Sequence, residues 1–408
     1  MEQADVIILG GGLVGLTLAL ALDAHGLSSH VIDTADLKNS VAPSFDGRVS
    51  AISSSSMKMM DAIGIGARLR PHGCPIARIS VTEGLSHSAL LFDSTEGGAG
   101  DPLGHMVENR LLRLALLDAV AGAGNVKLNA PARAVRLDRG PTRVEVELDS
   151  GRLLRAPLVI VAEGRNSPTR QAAGIKVAQW RYDHGAVVTV IDHAKPHGNT
   201  AHEMFYQTGP FAILPMNGPD GSGTRSAIVW TVARDLAPAG CALPARALAA
   251  EIEKRMGGLL GEVRMAAPAW SYPLGFHHAA RIVTDRLALV GDAAHGIHPI
   301  AGQGLNLGFR DVAALTEVLA DGARLGLDLG DPHLLARYQR WRGLDTMMVA
   351  GMTDVLTRLF GLPGRTMRTV RAIGLAAVDR LPPLKRRFMA EARGETGELP
   401  KLLTGELA

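Results

Sequence analysis

Cysteine is almost missing from this chain: Cys74 and Cys241 are the two among 408 residues. Thiols so few and so far apart build neither a disulfide framework nor a cysteine zinc site, and both are expected to be buried or inert. Long apolar runs are missing too. No stretch reaches the roughly 18 apolar residues of a membrane-spanning helix. The start, Met1-Glu2-Gln3-Ala4-Asp5, lacks the basic segment that opens a signal peptide. These absences predict a cytoplasmic protein and leave open a peripheral contact at the inner face of a membrane. Charge of one sign is lacking as well, since 43 basic residues meet 40 acidic ones without long like-charged blocks. That disfavours a dedicated nucleic-acid binder, whose basic residues gather on one face. No His/Cys/carboxylate spacing demands a metal, and no Gly-x-Ser-x-Gly elbow is present.

What is present is a 47% hydrophobic chain long enough for two or three domains' worth of core. Val6 to Leu9 is an apolar run that ends in glycines and reads as a strand buried on both faces. Leu13 to Ala24 is rich in Leu and Ala, suits a helix, and stops at Gly26. A second run, His30-Val31-Ile32, ends at Asp33. Strand, glycine turn, helix and strand make a βαβ unit, which implies a parallel sheet.

Two later runs, Leu158 to Val161 and Leu287 to Val290, lead into Glu163-Gly164 and Gly291-Asp292 and read as further buried strands. Between them the pattern changes. Short runs such as Ala186 to Val190 and Ala227 to Val232 are separated by turn clusters such as Asn217-Gly218-Pro219-Asp220-Gly221, the pattern of an antiparallel sheet. The expected organisation is an α/β fold. A Rossmann-like nucleotide-binding domain is expected over residues 1–75, 100–180 and 276–344, with an antiparallel β-sheet domain, 76–99 and 181–275, inserted into it. A C-terminal helical region spans 345–408. In it Val349, Met352, Leu356, Leu359 and Phe360 share one helix face, and Arg365, Arg368 and Arg371 mark a basic one.

Gly10-Gly11-Gly12-Leu13-Val14-Gly15 fits G-x-G-x-x-G after a strand and before a helix. The first glycine permits the turn, the second lets backbone approach a pyrophosphate, and the third lets helix and strand pack closely. The phosphate then meets free N–H groups and the helix dipole. Asp33 is placed to accept a hydrogen bond from a ribose hydroxyl. The fingerprint leaves NAD and FAD both open. A second segment separates them: after Leu289-Val290 come Gly291-Asp292, a glycine-rich loop through Gly302 and Gly304, and a helix from about Leu305 to about Leu319. An Asp there can hold the ribityl hydroxyls of a flavin, and the helix start favours the negative charge of a reduced flavin ring.

With these segments, the sequence resembles the FAD-dependent aromatic hydroxylases of the p-hydroxybenzoate hydroxylase fold, and within them the polyprenyl-phenol hydroxylases of ubiquinone biosynthesis. The resemblance covers nearly the whole chain. It rests on His298-Pro299-Ile300-Ala301-Gly302-Gln303-Gly304-Leu305-Asn306-Leu307-Gly308 with Arg310-Asp311-Val312, and on Phe45-Asp46-Gly47-Arg48. Asn109-Arg110, Gly209-Pro210-Phe211-Ala212 before Leu214-Pro215, and Leu375-Ala376-Ala377 with Arg380 to Leu384 also match. The resemblance implies that Gly10, Gly12, Leu13, Val14 and Gly15 hold the FAD pyrophosphate and Asp33 the adenosine ribose. It puts Arg110 on the diphosphate or ribityl region, Arg48 beside the isoalloxazine, and Gly291-Asp292 on the ribityl chain. Gly302, Gly304, Leu305 and Asn306 would face the pyrimidine edge through their backbone. One departure is Glu163-Gly164 where the group usually has Asp-Gly; the charge is kept, and the position bears on NAD(P)H docking.

The resemblance further implies a transient NAD(P)H that reduces FAD, and O₂ taken up as a C4a-hydroperoxide whose distal oxygen passes to an electron-rich ring. That ring belongs to a lipid-tailed phenol lying near Phe205, Tyr206, Pro215 and Trp230, residues that ordinary sheet packing explains equally well. His295 and His298 invite a catalytic role, and loop histidines that only satisfy backbone groups fit equally. No side chain is assigned to catalysis. Met57, Met59 and Met60 read as core packing. The basic amphipathic C-terminus is expected on a membrane or on partners of a ubiquinone-biosynthesis complex, with packing on the protein's own core as the alternative. A prenyl reductase-like oxidoreductase of the same fold and a non-catalytic flavin-binding scaffold are the competing readings. A halogenase is disfavoured by the lack of Trp-x-Trp-x-Ile-Pro.

Overall fold

The computed structural model describes residues 2–37, 39, 41, 47–86, 88–96, 100–218, 220–296, 303–343, 378 and 381–408. Phe45-Asp46, residues 298–302, and the helix and basic faces expected between 349 and 371 lie outside the described residues, as do 375–377 and Arg380.

Val6–Leu9 is buried at every position because parallel strands flank it, helix Leu13–Asp23 packs on it, and Val144, Val146 and Leu154 of an antiparallel sheet join the same core. The six-stranded sheet runs Val283–Thr284, Leu287–Leu289, Leu158–Val161, Val6–Leu9, Ser29–Ile32, Val126–Asn129, all parallel except the edge strand Val283–Thr284. Helices Leu13–Asp23, Asn109–Gly122 and Gln303–Arg324 supply the core packed on it, Leu16, Leu112 and Phe309 among them. Met59 and Met60 are fully buried in the same core. Leu158–Val161 and Leu287–Leu289 are parallel neighbours, so the chain between them is an insertion into the nucleotide-binding sheet. A four-stranded sheet, Glu2–Gln3, Leu153–Ala156, Val144–Leu148, Ala134–Arg139, lies beside it.

The insertion builds most of a nine-stranded sheet. Its order is His295–Gly296, Trp270–Ala279, Val177–His193, Arg225–Ala233, Gly209–Met216, Thr200–Tyr206, Arg78–Glu83, Ala89–Asp93, with Val263–Met265 also paired to Val177–His193. The apolar run around Ala186 is part of the 17-residue strand Val177–His193, whose register shifts between Arg181 and Gly185. A shift of that kind bends a long strand so that it can serve several partners.

The two faces of this sheet have different fates, because side chains alternate along a strand. One face carries Val187, Met204, Phe211, Ile213, Ile228 and Trp230 and is covered by Leu248, Ile252 and Met256 of helix Ala245–Met256. Trp230 and Tyr206 belong here: the Arg255 guanidinium lies 4.3 Å from the Trp230 ring centroid and 5.7 Å from that of Tyr206, whose hydroxyl donates to Arg255 O. Pro215, two residues after Ile213, shares this face by alternation. The other face, with Ala201, Leu214, Met216 and Ala227, packs on Val49 and Ala51. Those two residues belong to a three-stranded sheet of Val49–Ser53, Gly104–Glu108 and Cys74–Ile76.

At the C-terminus, prolines open helix Pro382–Arg393, where their fixed φ suits the first turn, and Gly394 at φ +73° ends it. Phe388 packs 6.4 Å from Phe92. Beyond it Leu402 and Leu403 sink into the main core, and Arg310 donates to the carbonyls of Gly394 (2.8 Å) and Thr396 (3.1 Å). The end of the chain therefore packs on its own core. Both cysteines are free, and burial pushes the Cys74 thiol up to about 11, which keeps it unreactive.

Candidate flavin site

The glycine loop is built by steric necessity at two positions and by openness at a third. Gly10 has φ +107°, and a Cβ there would lie 2.4 Å from Ala162 O. A Cβ on Gly15 would lie 1.9 Å from Gly10 O, so helix Leu13–Asp23 can approach the strand only without one. Gly12 has ordinary extended backbone at φ −74°, and a Cβ there would meet nothing within 4 Å. It is the N-cap of the helix and no side chain caps it, so the first-turn N–H groups of Leu13 and Val14 lack intrahelical acceptors. Asp33 braces this loop directly: its Oδ2 accepts from Gly11 N–H at 2.7 Å and its Oδ1 from Ala35 N–H at 2.8 Å.

Leu287–Leu289 delivers the chain into the single turn Gly291–Ala293. Gly291 has φ +58°; a Cβ there would lie 3.2 Å from Val14, and one on Gly308 would lie 2.9 Å from Val14. The turn, the glycine-loop helix and helix Gln303–Arg324 thus close on Val14. Asp292 is exposed, and its carbonyl accepts from His277 Nε2 at 2.8 Å. Under the turn lies Asp311, fully buried, accepting from Gly291 N–H (2.9 Å), His295 Nε2 (2.6 Å) and Arg342 Nε (2.7 Å). Burial opposes its ionisation more than any other single influence, yet His295 and Arg342 together hold its carboxyl below the usual range. His295 is therefore a buried tie to the Asp311 carboxylate, not to a backbone group.

Arg170 fastens the neighbouring loop, donating to Ala293 O at 2.9 Å and Arg165 O at 2.8 Å. Glu163 turns into its own loop, where Ser167 Oγ (2.6 Å) and the Thr169 N–H and hydroxyl donate to it. Arg48 is exposed, and its carbonyl accepts from Asn109 N–H at 3.0 Å, which brings it next to Arg110 in the first turn of helix Asn109–Gly122. Arg110 Nη2 lies 3.6 Å from Glu108, while its Nε is buried without a hydrogen-bond partner.

Asn306 does more than offer backbone. Its side chain accepts from Ser53 N–H and Ser56 Oγ, both at 3.0 Å, and donates to Ala51 O at 2.9 Å. The start of helix Gln303–Arg324 is thereby tied to the strand that follows Arg48. Gly304 beside it is open, with nothing within 4 Å of an added Cβ. Leu13 and Leu305 pack half-buried on the core, and Gly302 lies outside the described residues.

These features fit a flavin dinucleotide. An uncapped helix start with an open glycine suits a diphosphate, and an orphaned guanidinium N–H suits a diphosphate or ribityl oxygen. Parallel sheet, glycine cradle and a Gly-Asp turn locked to a helix start define an FAD-dependent oxidoreductase.

The chain belongs to the FAD binding domain family, whose model matches residues 3–350. It is 45% identical over 407 residues, 99% of this chain and 93% of the relative, to ubiquinone hydroxylase UbiL of Rhodospirillum rubrum. It is 36% identical over 399 residues, 96% of this chain and 99% of the relative, to 3-demethoxyubiquinol 3-hydroxylase of Escherichia coli. Among solved structures, p-nitrophenol 4-monooxygenase PnpA of Pseudomonas putida shares the fold, with a TM-score of 0.80 at 18% identity over 98% of this chain and all of that one. FAD is accordingly its cofactor, and the chain stands among the FAD-dependent aromatic hydroxylases.

Sequence reasoning assigned no role to Asp311, Arg342, His277 or Arg170. Asp311 stood inside a matched segment, and a carboxylate at that place on an otherwise apolar helix face was the available signal. Arg170 closes the Ser-x-x-Arg stretch that follows Glu163-Gly164 in the matched pattern, whereas His277 and Arg342 act across the fold and carried no signal. Of the four residues expected near the substrate ring, Tyr206, Pro215 and Trp230 sit on the helix-covered face of the sheet, and Phe205 alone lies on the face turned to Val49.

Proposed function

We propose that this monooxygenase hydroxylates the aromatic ring of a polyprenylated phenol on the route to ubiquinone, with NAD(P)H as transient reductant and O₂ as co-substrate. The observation that carries the reading is the sheet face that meets Val49 and Ala51, just after Arg48 and tied through Asn306 to the start of helix Gln303–Arg324. A Cβ on Gly47 would lie 1.9 Å from the Trp270 ring, so this face reaches the flavin-side segment itself. The named activities of the two hydroxylase relatives support the same substrate class.

Bound FAD supplies the redox chemistry that activates dioxygen. On this reading Gly10, Gly12, Leu13, Val14 and Gly15 hold the diphosphate, Asp33 the ribose, and Asp292 the ribityl chain. Arg48, Arg110, Gly291, Gly302, Gly304, Leu305 and Asn306 complete the cradle, and residues 76–99 and 181–275 supply the substrate side. The apolar sheet face holds the ring and excludes water. The test is incubation of the purified holoprotein with NAD(P)H, ¹⁸O₂ and a short-tailed 2-prenylphenol. One ¹⁸O atom in the ring product is expected; reductant consumed with a reduced prenyl chain and no ¹⁸O would point to a prenyl reductase instead. In a strain lacking the protein, an under-hydroxylated quinone precursor should accumulate, and normal ubiquinone would count against the pathway.

No helix among the described residues is long and apolar enough to cross a membrane. A peripheral contact has a candidate surface in Leu381, Leu384, Arg386 and Arg387, all exposed at the start of helix Pro382–Arg393. Apolar tips flanked by arginines suit an anionic lipid surface. Arg386→Glu with Arg387→Glu should reduce flotation with phosphatidylglycerol vesicles several-fold while leaving FAD content alone. Equal flotation would place any membrane contact elsewhere.

A further inference from the structure

Glu203 is a carboxylate in an apolar setting for which the fold has no evident use. It lies in strand Thr200–Tyr206, paired with Val81 on one side and Ala212 on the other. The same cross-strand row continues through Val229 and Val188 to Trp270, the residue that meets Gly47. By alternation the row belongs to the face that carries Ala201 and Leu214, opposite the helix-covered face of Met204 and Phe211. Glu203, Val229, Val188 and Trp270 are all only partly buried. Its same-face neighbours are Ala201, Phe205, Pro210, Ala212, Leu214 and Val81. A carboxylate among such groups lowers stability, and residues of that kind concentrate where chemistry needs them.

We propose that Glu203 receives the hydroxyl of the phenolic substrate and accepts its proton as the ring is oxygenated. The inference rests on the hydroxylase reading above and adds a residue to it. In the step, the phenol O–H bond breaks and the proton passes to a carboxylate oxygen of Glu203. The electron pair stays on the phenolate oxygen, from which it feeds the ring carbon under attack. As the ring regains aromaticity that carbon's C–H bond breaks and its proton returns to the phenol oxygen, and the proton on Glu203 leaves to water after product release. No further oxidant or reductant is involved. Electron donation from the phenolate makes the ring a better nucleophile, which is the purpose of general-base assistance here.

The acidity of Glu203 suits this task. Burial pushes its carboxyl up from 4.5 to about 7, so it takes up and gives back a proton near neutrality. The charged groups around the face are Glu83 on the adjacent strand, the Arg225–Asp192 pair, Glu108 with Arg110, Arg48, Lys385 with Glu96, and Arg393. Burial is the cause of the shift.

The experiment compares full-length holoprotein with its Glu203→Gln and Glu203→Asp variants, using a 2-prenylphenol and its O-methyl ether as probes. Glutamine keeps the shape and removes the base. Turnover of the phenol should fall on the order of 100-fold in Glu203→Gln, with KM changed far less and FAD content unchanged. The wild-type rate should rise with pH through about 7 as the carboxylate forms; that limb should vanish in the glutamine variant and return in the aspartate one. Unchanged turnover and an unchanged pH limb in Glu203→Gln would overturn the role while leaving the hydroxylase reading intact. Should the wild type yield no hydroxylated product, the hydroxylase reading fails and binding decides on Glu203, followed through the flavin absorbance. Weaker binding of the phenol alone supports the contact, and equal weakening of phenol and ether, or none, removes it.

Discussion

Asp311→Ala is expected to destabilise the protein by about 3–5 kcal/mol, the usual cost of removing one member of a buried ion pair. The buried cation that loses this contact is Arg342, only 3% exposed, whose Nε donates to Asp311 at 2.7 Å. Two further donors, Gly291 N–H and His295 Nε2, lose their acceptor in the same substitution. Because Gly291 begins the turn that presents Asp292, FAD affinity should fall with stability. Chemical denaturation midpoints and the bound FAD to protein ratio measure the two effects. Asp311→Asn, which retains an acceptor without the charge, should fall between. The pH dependence follows from the direction of the shift. The Asp311 carboxyl is held below its usual range, so its stabilisation is present at neutral pH and is lost as pH falls through the folded-state value. The alanine variant should lack that acid-side loss, and equal midpoints at neutral pH would show that the network carries no net energy.

Gly15→Ala and Gly12→Ala should separate fold from cofactor. A Cβ at position 15 would lie 1.9 Å from Gly10 O and 3.1 Å from Gly10 C, both backbone atoms that give little. Helix and strand must part, at a cost of about 3 kcal/mol or more by the measure of overpacked cores, and the phosphate cradle goes with them. Gly15→Ala should therefore lose both thermal stability and visible flavin absorbance. At position 12 the added methyl meets no protein atom within 4 Å, so the apoprotein should melt as the wild type does. The same methyl would stand where the diphosphate must approach, and FAD affinity should drop at least tenfold. Wild-type FAD binding by Gly12→Ala would mean that the diphosphate sits elsewhere.

Much of the fold was legible because its signals are local. Val6–Leu9, the glycine turn and helix Leu13–Asp23 follow from apolar run, positive-φ glycine and Leu/Ala content within a few residues of one another. Gly10, which the turn holds at positive φ, and Gly15, which must clear Gly10 O, answer demands set within a few residues of the same motif. Side-chain assignments fared differently. Trp230 and Tyr206 drew notice as aromatics near an expected ring, yet a strand sends alternate residues to opposite faces, and theirs is covered by helix Ala245–Met256. Asn306 was expected to act through backbone alone, whereas its amide bonds to Ala51, Ser53 and Ser56, partners some 250 residues away in the chain.

By itself, then, the sequence determined a dinucleotide-binding βαβ unit with an inserted antiparallel sheet. With the Gly291-Asp292 segment and the family resemblance it also determined the flavin. Hydrophobic period, turn glycines and motif spacing are written within short stretches, so they survive without knowledge of the folded shape. Tertiary structure alone decided which face of the inserted sheet meets Val49 and Ala51. It also decided that His295 serves Asp311 and that Glu203 stands in an apolar row with Val81, Ala212 and Val229. Strand order and register set those relations, and they bring together residues that no local pattern connects.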